Sequence, residues 1–473
     1  MRRNRKDSYS DLTGGIAAPV DPRCRDIEIT QMLKRFSLMC GLLVSVMIQP
    51  APAADLISIY REAQTADAVY AGARASYMAG QEKLPQGLSG ILPAVTLSAN
   101  TQYNDRDLQF RSGAPASAAR YNSNSLNVTA TQPLFRLQNW ITYEQAKNQV
   151  SQAEAAFLQV AQDLIVRVAQ AYFDVLLAGD NVALAAAQKT AFSEQLAQAK
   201  RNFEVGTATI TDANDAQARH DLAASQEIAA QNDLEIKKQA LRQITGRIPP
   251  ELAKLSSRFT PVLPNPDNMD NWVEQAGASS LQVKVAQAAL DIATQEVSRN
   301  RSGHLPTLDA VASYSDTAQG SGVQGGAGFD STVKYIGLQL AVPLYQGGLT
   351  SSKVREALAN EEKARQDLEN TKRTVAHSTR SAFLGVTNGV AQIKALEAAL
   401  ISSQSSLDST RLGQEVGVRT QVDVLNSTQQ LISTRRDYAQ AIYAYAVNVL
   451  KLKAAAGTLT EDDLAYVNAW LEK

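Results

Sequence analysis

The sequence predicts a mixed, mainly α-helical fold of long coiled-coil helices with four β-strands, written as an internal tandem repeat. Three observations predict it. The stretch Phe203–Asp215 (FEVGTATITDAND) recurs as Gln414–Asn426 (QEVGVRTQVDVLN). Glu204, Val205, Gly206, Thr209 and Asp212 return as Glu415, Val416, Gly417, Thr420 and Asp423, each 211 positions later, and the same offset links Ala171 to Ala382, Leu241 to Leu452 and Gly246 to Gly457. An offset held over so many positions marks a duplicated structural unit. The second observation is the length of the runs without helix breakers, and the third is a switch to period two after Pro93 and Pro306.

Composition agrees. Of the 473 residues 44% are hydrophobic but only 6% aromatic, which suits long helices packed through small side chains better than one thick core. A net charge of −1 gives no support to nucleic-acid binding. No run of about 18 apolar residues is present, so no transmembrane helix is expected.

In chain order, residues 1–31 are polar and read as an extension ahead of a start at Met32. Residues 32–54 read as a signal peptide: Lys34 and Arg35, the apolar run Phe36–Ile48, then Ala51-Pro52-Ala53 as a small-residue cleavage site. Cys24 and Cys40 both fall at or before that signal, so neither a disulfide nor an acylated cysteine is expected in the mature chain.

The first repeat is assigned to 55–250. Asp55–Gly90 reads as helical and is stopped by Leu92-Pro93; its counterpart in the second repeat, Asn271–His304, is stopped by Leu305-Pro306. Alternation follows each stop: Val95, Leu97, Ala99 and Tyr103, then Leu126, Val128, Ala130 and Leu134 in the first copy. In the second copy it runs through Leu308, Ala310, Ala312 and Tyr314, then Ile336, Leu338, Leu340, Val342 and Leu344. Period two over about ten residues is the pattern of an outer-membrane strand. Asp105–Asn122 and Ser315–Ser331, polar and Gly/Ser-rich, are expected to be exposed loops. Gly320–Gly328 lacks the Lys-Ser/Thr ending of a phosphate loop.

Four strands do not close a membrane barrel, and an open sheet in lipid leaves unpaired backbone edges at several kcal/mol per group. Either the strands stand outside a membrane or several chains share one barrel.

Long helices follow. Arg136–Val205 contains no proline and a single glycine, Gly179, and Thr207–Thr245 contains neither breaker. In the second copy Leu349–Val416 lacks proline and Val418–Ala456 lacks both. Such helices are expected side by side as coiled coil, turning at Gly206 and Gly417, where glycine permits a positive φ. A proline-rich linker is assigned to 251–270, the second repeat to 271–457, and a short helix or tail to 458–473.

Little chemistry is legible. His220, His304 and His377 are far apart and have no metal-ligand spacing, and no Gly-x-Ser-x-Gly elbow is present. No catalytic, metal or cofactor site is expected, and the chain reads as no enzyme. The candidate site is the second hairpin, where Arg419 and Asp423 stand four apart. In a symmetric oligomer Asp423 would form a carboxylate ring that favours cations; on spacing alone an ordinary exposed i,i+4 pair is the favoured reading.

Several motifs in order carry a resemblance. Gln414–Leu425, Ala171–Leu176 (AYFDVL), Gln132–Trp140 (QPLFRLQNW), Leu241–Gly246 (LRQITG) and Val342–Gly348 (VPLYQGG) resemble the TolC family of outer-membrane channel-tunnels, from about Asp55 to Leu464. The resemblance implies a homotrimer in the outer membrane of a Gram-negative bacterium, each chain lending four strands to one twelve-stranded barrel that continues as a helical tunnel across the periplasm. It further implies a mouth closed by the hairpin ends until an inner-membrane ABC transporter or proton-driven pump and a periplasmic adaptor dock. By position it makes Arg419 the gate arginine, Asp212 its first-hairpin partner and Asp423 the first pore aspartate. The chain departs at Gln414, where the family has a tyrosine, and at Asn426, where it has a second pore aspartate. The first functional expectation is a type I secretion channel for unfolded protein substrates such as toxins or proteases. The alternatives are the exit duct of a multidrug efflux pump and a soluble periplasmic coiled-coil adaptor. No nucleotide site is legible, so the energy for transport would come from the partner.

Overall fold

The computed structural model describes residues 54–472 except 110, 113–116, 250, 257–258 and 322–326. The expected extension, most of the signal segment, Cys24 and Cys40, and the centre of the Gly320–Gly328 stretch lie outside the described residues.

Helices α1 (Leu56–Ala66), α2 (Ala68–Gln81) and α3 (Lys83–Ser89) precede strands β1 (Ala94–Leu108) and β2 (Ser117–Phe135). Helices α4 (Leu137–Glu204) and α5 (Ile210–Thr245) form the first hairpin. The second half repeats this order with α6 (Met269–Ser279), α7 (Leu281–Arg301), β3 (Thr307–Gln319), β4 (Phe329–Ala341), α8 (Leu349–Glu415) and α9 (Gln421–Ala455), and α10 (Glu461–Asn468) follows. At 1.5 Å per residue, the 68 residues of α4 extend about 100 Å. No described helix is long and apolar enough to cross a membrane.

The region read as one helix over Asp55–Gly90 is broken at Asp67 and Glu82, and its counterpart is broken at Ser280. Asp67 is an N-cap whose side chain accepts from the Tyr70 amide at 2.9 Å, while Arg167 Nη2 on α4 reaches the same carboxylate at 2.9 Å. A cap bonded to a neighbouring helix decides that break, and helical composition alone did not show it.

The four strands form one antiparallel sheet in the order β1-β2-β3-β4, so β1 and β4 are its edges. Register links Val95 to Ala130, Ala130 to Ala312 and Ala312 to Ile336; the next row on the same face is Leu97, Val128, Tyr314 and Lys334. The alternating apolar residues therefore share one face, and Val95, Leu97, Ile336, Leu338 and Leu340 are all more than 60% exposed in the single chain. The strands run further than apolar alternation suggested. Asp105–Leu108 pairs with Ser117–Arg120, and Thr317–Gln319 pairs with Phe329–Ser331, in segments expected to be loops. These strand ends are mostly polar, so they carry little period-two signal although the backbone ladder continues. Leu134 leaves the apolar row at a bulge where Phe135 takes the place opposite Leu308, and Val342 and Leu344 lie past the end of β4.

The helices are stitched in lines. The strand-proximal part of α4 is covered by α2 and α3, where a Cβ at Gly80 would stand 2.5 Å from the Ala153 methyl and one at Gly87 would stand 2.9 Å from that of Ala146. Gln145 of α4 donates to the Ile292 carbonyl of α7 at 3.2 Å. Further along, Lys189 pairs with Glu227 of α5 at 2.8 Å, and Asp180 accepts from the Tyr443 hydroxyl of α9 at 2.8 Å.

The thickest core joins α1, α4, α5, α9 and α10 through Leu56, Ile59, Leu164, Phe173, Leu241, Leu450 and Leu464. The Tyr172 hydroxyl, buried there, lies 3.1 Å from the carbonyl of Ala54 and 2.8 Å from that of Ala253. The proline-rich stretch after α5 is thus built into the core through Leu252 and Ala253. Toward the hairpin ends the core thins to small clusters: Phe192, Ala223 and Leu425; Leu196, Ala199 and Ala216; Leu407, Val424 and Leu431.

Candidate functional site: the hairpin ends

Both hairpins turn with the same backbone. Val205 and Val416 end their helices at φ/ψ of −90/3 and −91/2, and Gly206 and Gly417 follow at φ of 78 and 81. Thr209 and Thr420 then cap the next helix in extended conformation, at −90/159 and −91/161. A β-carbon at either glycine would meet nothing within 4 Å, so the left-handed φ alone, and not crowding, calls for glycine there.

Each threonine opens a capping box. The Thr209 amide donates to Asp212 Oδ2 at 3.0 Å while Asp212 donates its own amide to Thr209 Oγ1 at 3.3 Å. The Thr420 amide donates to Asp423 Oδ2 at 2.9 Å, and the Asp423 amide returns a bond to Thr420 Oγ1 at 3.2 Å. The amide and hydroxyl of the capping threonine hold both carboxyls below the usual carboxylate range, with Arg419 a smaller contributor at Asp423. Both aspartates are anionic at neutral pH and fixed in direction. The Thr-x-x-Asp spacing of a capping box was legible in both copies of the repeat.

The reading of Arg419 and Asp423 as an i,i+4 helical pair is corrected. Helix α9 begins at Gln421, after the Thr420 cap, so Arg419 precedes the helix and forms no ion pair with Asp423 among the described residues. Its stem instead lies on Gly413: the Val418 and Arg419 amides donate to the Gly413 carbonyl at 2.8 and 3.1 Å, and a Cβ at Gly413 would come within 2.7 Å of Arg419 Cγ. The first-repeat counterpart is Asn202, whose carbonyl takes the Thr207 and Ala208 amides in the same way at 2.8 and 3.2 Å, so the backbone turn is duplicated and only the glycine beneath the arginine stem is not.

The two hairpins face each other across a cleft of about 630 Å3 lined by Gln195, Asp212, Gln414, Arg419, Thr420 and Gln421. Asp212 and Arg419 share this cleft without a direct hydrogen bond among the described residues. Gln414 Nε2 donates to Gln421 Oε1 beside the turn. Two buried amide atoms in the lining, Gln195 Oε1 and Gln421 Nε2, have no hydrogen-bond partner among the described residues. Asn426 lies one turn beyond Asp423 on α9 and accepts from Arg219 Nη2 of α5 at 2.8 Å. Sequence reasoning missed Arg219, since nothing local marks a contact 207 positions away. The arrangement sets two capped carboxylates, Asp212 and Asp423, and two arginines, Arg219 and Arg419, at the seam between the hairpins.

The family described as "Outer membrane efflux protein" matches residues 60–247 and 272–458, one match in each half. The outer membrane protein TolC of Escherichia coli is 34% identical over 454 residues, covering 93% of this chain and 90% of that protein. The alkaline protease secretion protein AprF of Pseudomonas aeruginosa is 30% identical, covering 93% and 92%. Among solved structures, the Campylobacter jejuni CmeC outer membrane channel superposes with a TM-score of 0.74 at 17% identity over 88% of this chain and 90% of that one, which speaks to fold alone. With both halves matched and TolC similar over nearly its whole length, the chain belongs to the outer membrane efflux protein family, the TolC-type channels of the Gram-negative outer membrane.

Proposed function

We propose that three copies assemble into one channel-tunnel, each lending β1–β4 to a shared twelve-stranded barrel and its long helices to a tunnel across the periplasm. The observation that carries this reading is the open sheet with an exposed apolar face. In lipid its two free edges would each leave a row of unpaired amides and carbonyls. In a four-stranded antiparallel sheet β1 and β4 run in opposite directions, so rotation about a threefold axis sets β4 of one copy antiparallel to β1 of the next and removes every edge.

The hairpin ends close the periplasmic mouth in this reading, turning at Gly206 and Gly417. Asp212, Gln414 and Arg419 line the seam that must part, and Asp423 and Asn426 face the pore. With Asn426 in place of a second carboxylate, the ring carries less negative charge than two aspartates would give. An inner-membrane ABC transporter and a periplasmic adaptor dock there and supply the energy.

The cargo is unfolded protein, exported by type I secretion. The likeness to AprF, named for alkaline protease secretion, supports this. The efflux duct, paired with a proton-driven pump, is the second reading, and the family's own description favours it. Mass-spectrometric comparison of culture supernatants from wild type and a deletion strain tests the two. Loss of one or a few large proteins from the medium is the expected result. An unchanged supernatant in a strain newly sensitive to detergents and dyes would replace secretion with efflux.

A further inference from the structure

Arg219 stands on α5 two helical turns beyond the capping aspartate Asp212, and its Nη2 crosses to Asn426 Oδ1 on α9 at 2.8 Å. Among the described residues this is the side-chain hydrogen bond that joins α5 to α9; the neighbouring cross-hairpin bonds, Gln188 to Gln429 and Gln195 to Thr428, start from α4. Arg219 forms no ion pair among the described residues. A guanidinium is charged at every accessible pH, and an amide oxygen holds it without neutralising it. Asn426 follows Asp423 by three residues on α9, so this cation is held about one helical turn from a carboxylate that the Thr420 cap keeps ionised.

We propose that Arg219 sets both the closure and the charge selectivity of the entrance: anchored on Asn426, it latches α5 to α9 and offsets the charge of Asp423. The proposal rests on the reading of the hairpin ends as the gate. It adds a residue of the first hairpin and gives Asn426 a role of its own. A carboxylate at position 426 would cancel the guanidinium and leave the Asp423 ring uncompensated. The amide leaves Arg219 its full charge, so in a trimer three such cations are held about one helical turn from three Asp423 carboxylates.

The full-length protein, reconstituted in planar lipid bilayers, provides the test through single-channel conductance and reversal potential in a potassium chloride gradient. Arg219→Met removes bond and charge together, and Asn426→Ala removes the bond alone. A charge-assisted hydrogen bond biases a two-state equilibrium by about tenfold, so both variants are expected to raise the open population by roughly that factor. Arg219→Met is also expected to move the reversal potential toward cations. Asn426→Asp should make the same reversal shift without opening the channel, because it replaces the bond with an ion pair. The double variant Arg419→Ser with Asp212→Ala serves as reference. If it opens the channel while Arg219→Met keeps wild-type conductance or wild-type reversal potential, the latch is overturned and the gate stands. If neither opens it, the gate reading itself falls.

Discussion

Arg419 illustrates how a side chain gains its position from backbone and not from a charge partner. The Gly413 carbonyl takes the two amides at the turn, and the bare α-carbon of Gly413 admits the arginine stem. The guanidinium makes no ion pair among the described residues and lines the cleft it shares with Asp212. Removing both side chains, Arg419→Ser with Asp212→Ala, is expected to raise single-channel conductance in a lipid bilayer. Because Asp212 also closes a capping box with Thr209, the control is Thr209→Ala, which should cost about 1 kcal/mol of stability through the lost cap and leave conductance unchanged. An equal conductance gain in the control would move the effect from the gate to the helix end. The capping role of both aspartates could be read from Thr-x-x-Asp in each copy, whereas the Gly413 cradle could not, because it depends on where the chain lies after the turn.

Among elements, the junction between sheet and long helices depends on one fork. Arg136, immediately before α4, gives Nε to Asp309 Oδ1 at 2.8 Å and Nη2 to Oδ2 at 2.5 Å, and Asp309 on β3 is 5% exposed. The bond ties the exit of the first repeat's strand pair to the entrance of the second's. It lies beside the bulge at Pro133 and Phe135, where the ladder itself is interrupted. Asp309→Asn removes the charge from a buried bidentate pair; since Arg136 keeps some water, the expected loss is about 2 kcal/mol, read as a lower melting temperature of the assembled protein. Leu134 belongs to the same lesson. Strict alternation put it in the apolar row, but the bulge gives that place to Phe135.

For the whole molecule, the sheet register makes a directional prediction about the membrane. From Val95 to Tyr103 the apolar row rises roughly 26 Å along the strand, or about 20 Å with a tilt near 40°, close to the ~25 Å apolar band of outer-membrane barrels. Leu338 lies on this face, level with Ala310, while Tyr335 lies on the opposite face, level with Ser313. Leu338→Arg is expected to cost about 2–4 kcal/mol per chain by placing a cation in lipid, and Tyr335→Arg less than about 1 kcal/mol. The fraction of assembled protein on unboiled gels would rank the two. Equal loss in both would mean that the faces are assigned the wrong way.

The duplication, the four long helices, the two glycine turns and the apolar row of each strand are legible in residue order. These are encoded by local rules: breaker-free length, left-handed φ, and period two. Chain order also shows that four strands are too few to close a barrel. Packing alone sets where the strands end, since polar ladder residues look like loop residues, and where the first helix breaks, since Arg167 reaches Asp67 from a separate helix. It alone made the proline-rich linker part of the core and brought Arg219 to Asn426. Contacts between residues two hundred positions apart leave no trace in either segment. They exist because two copies of one hairpin pack side by side, and their geometry is set by that packing.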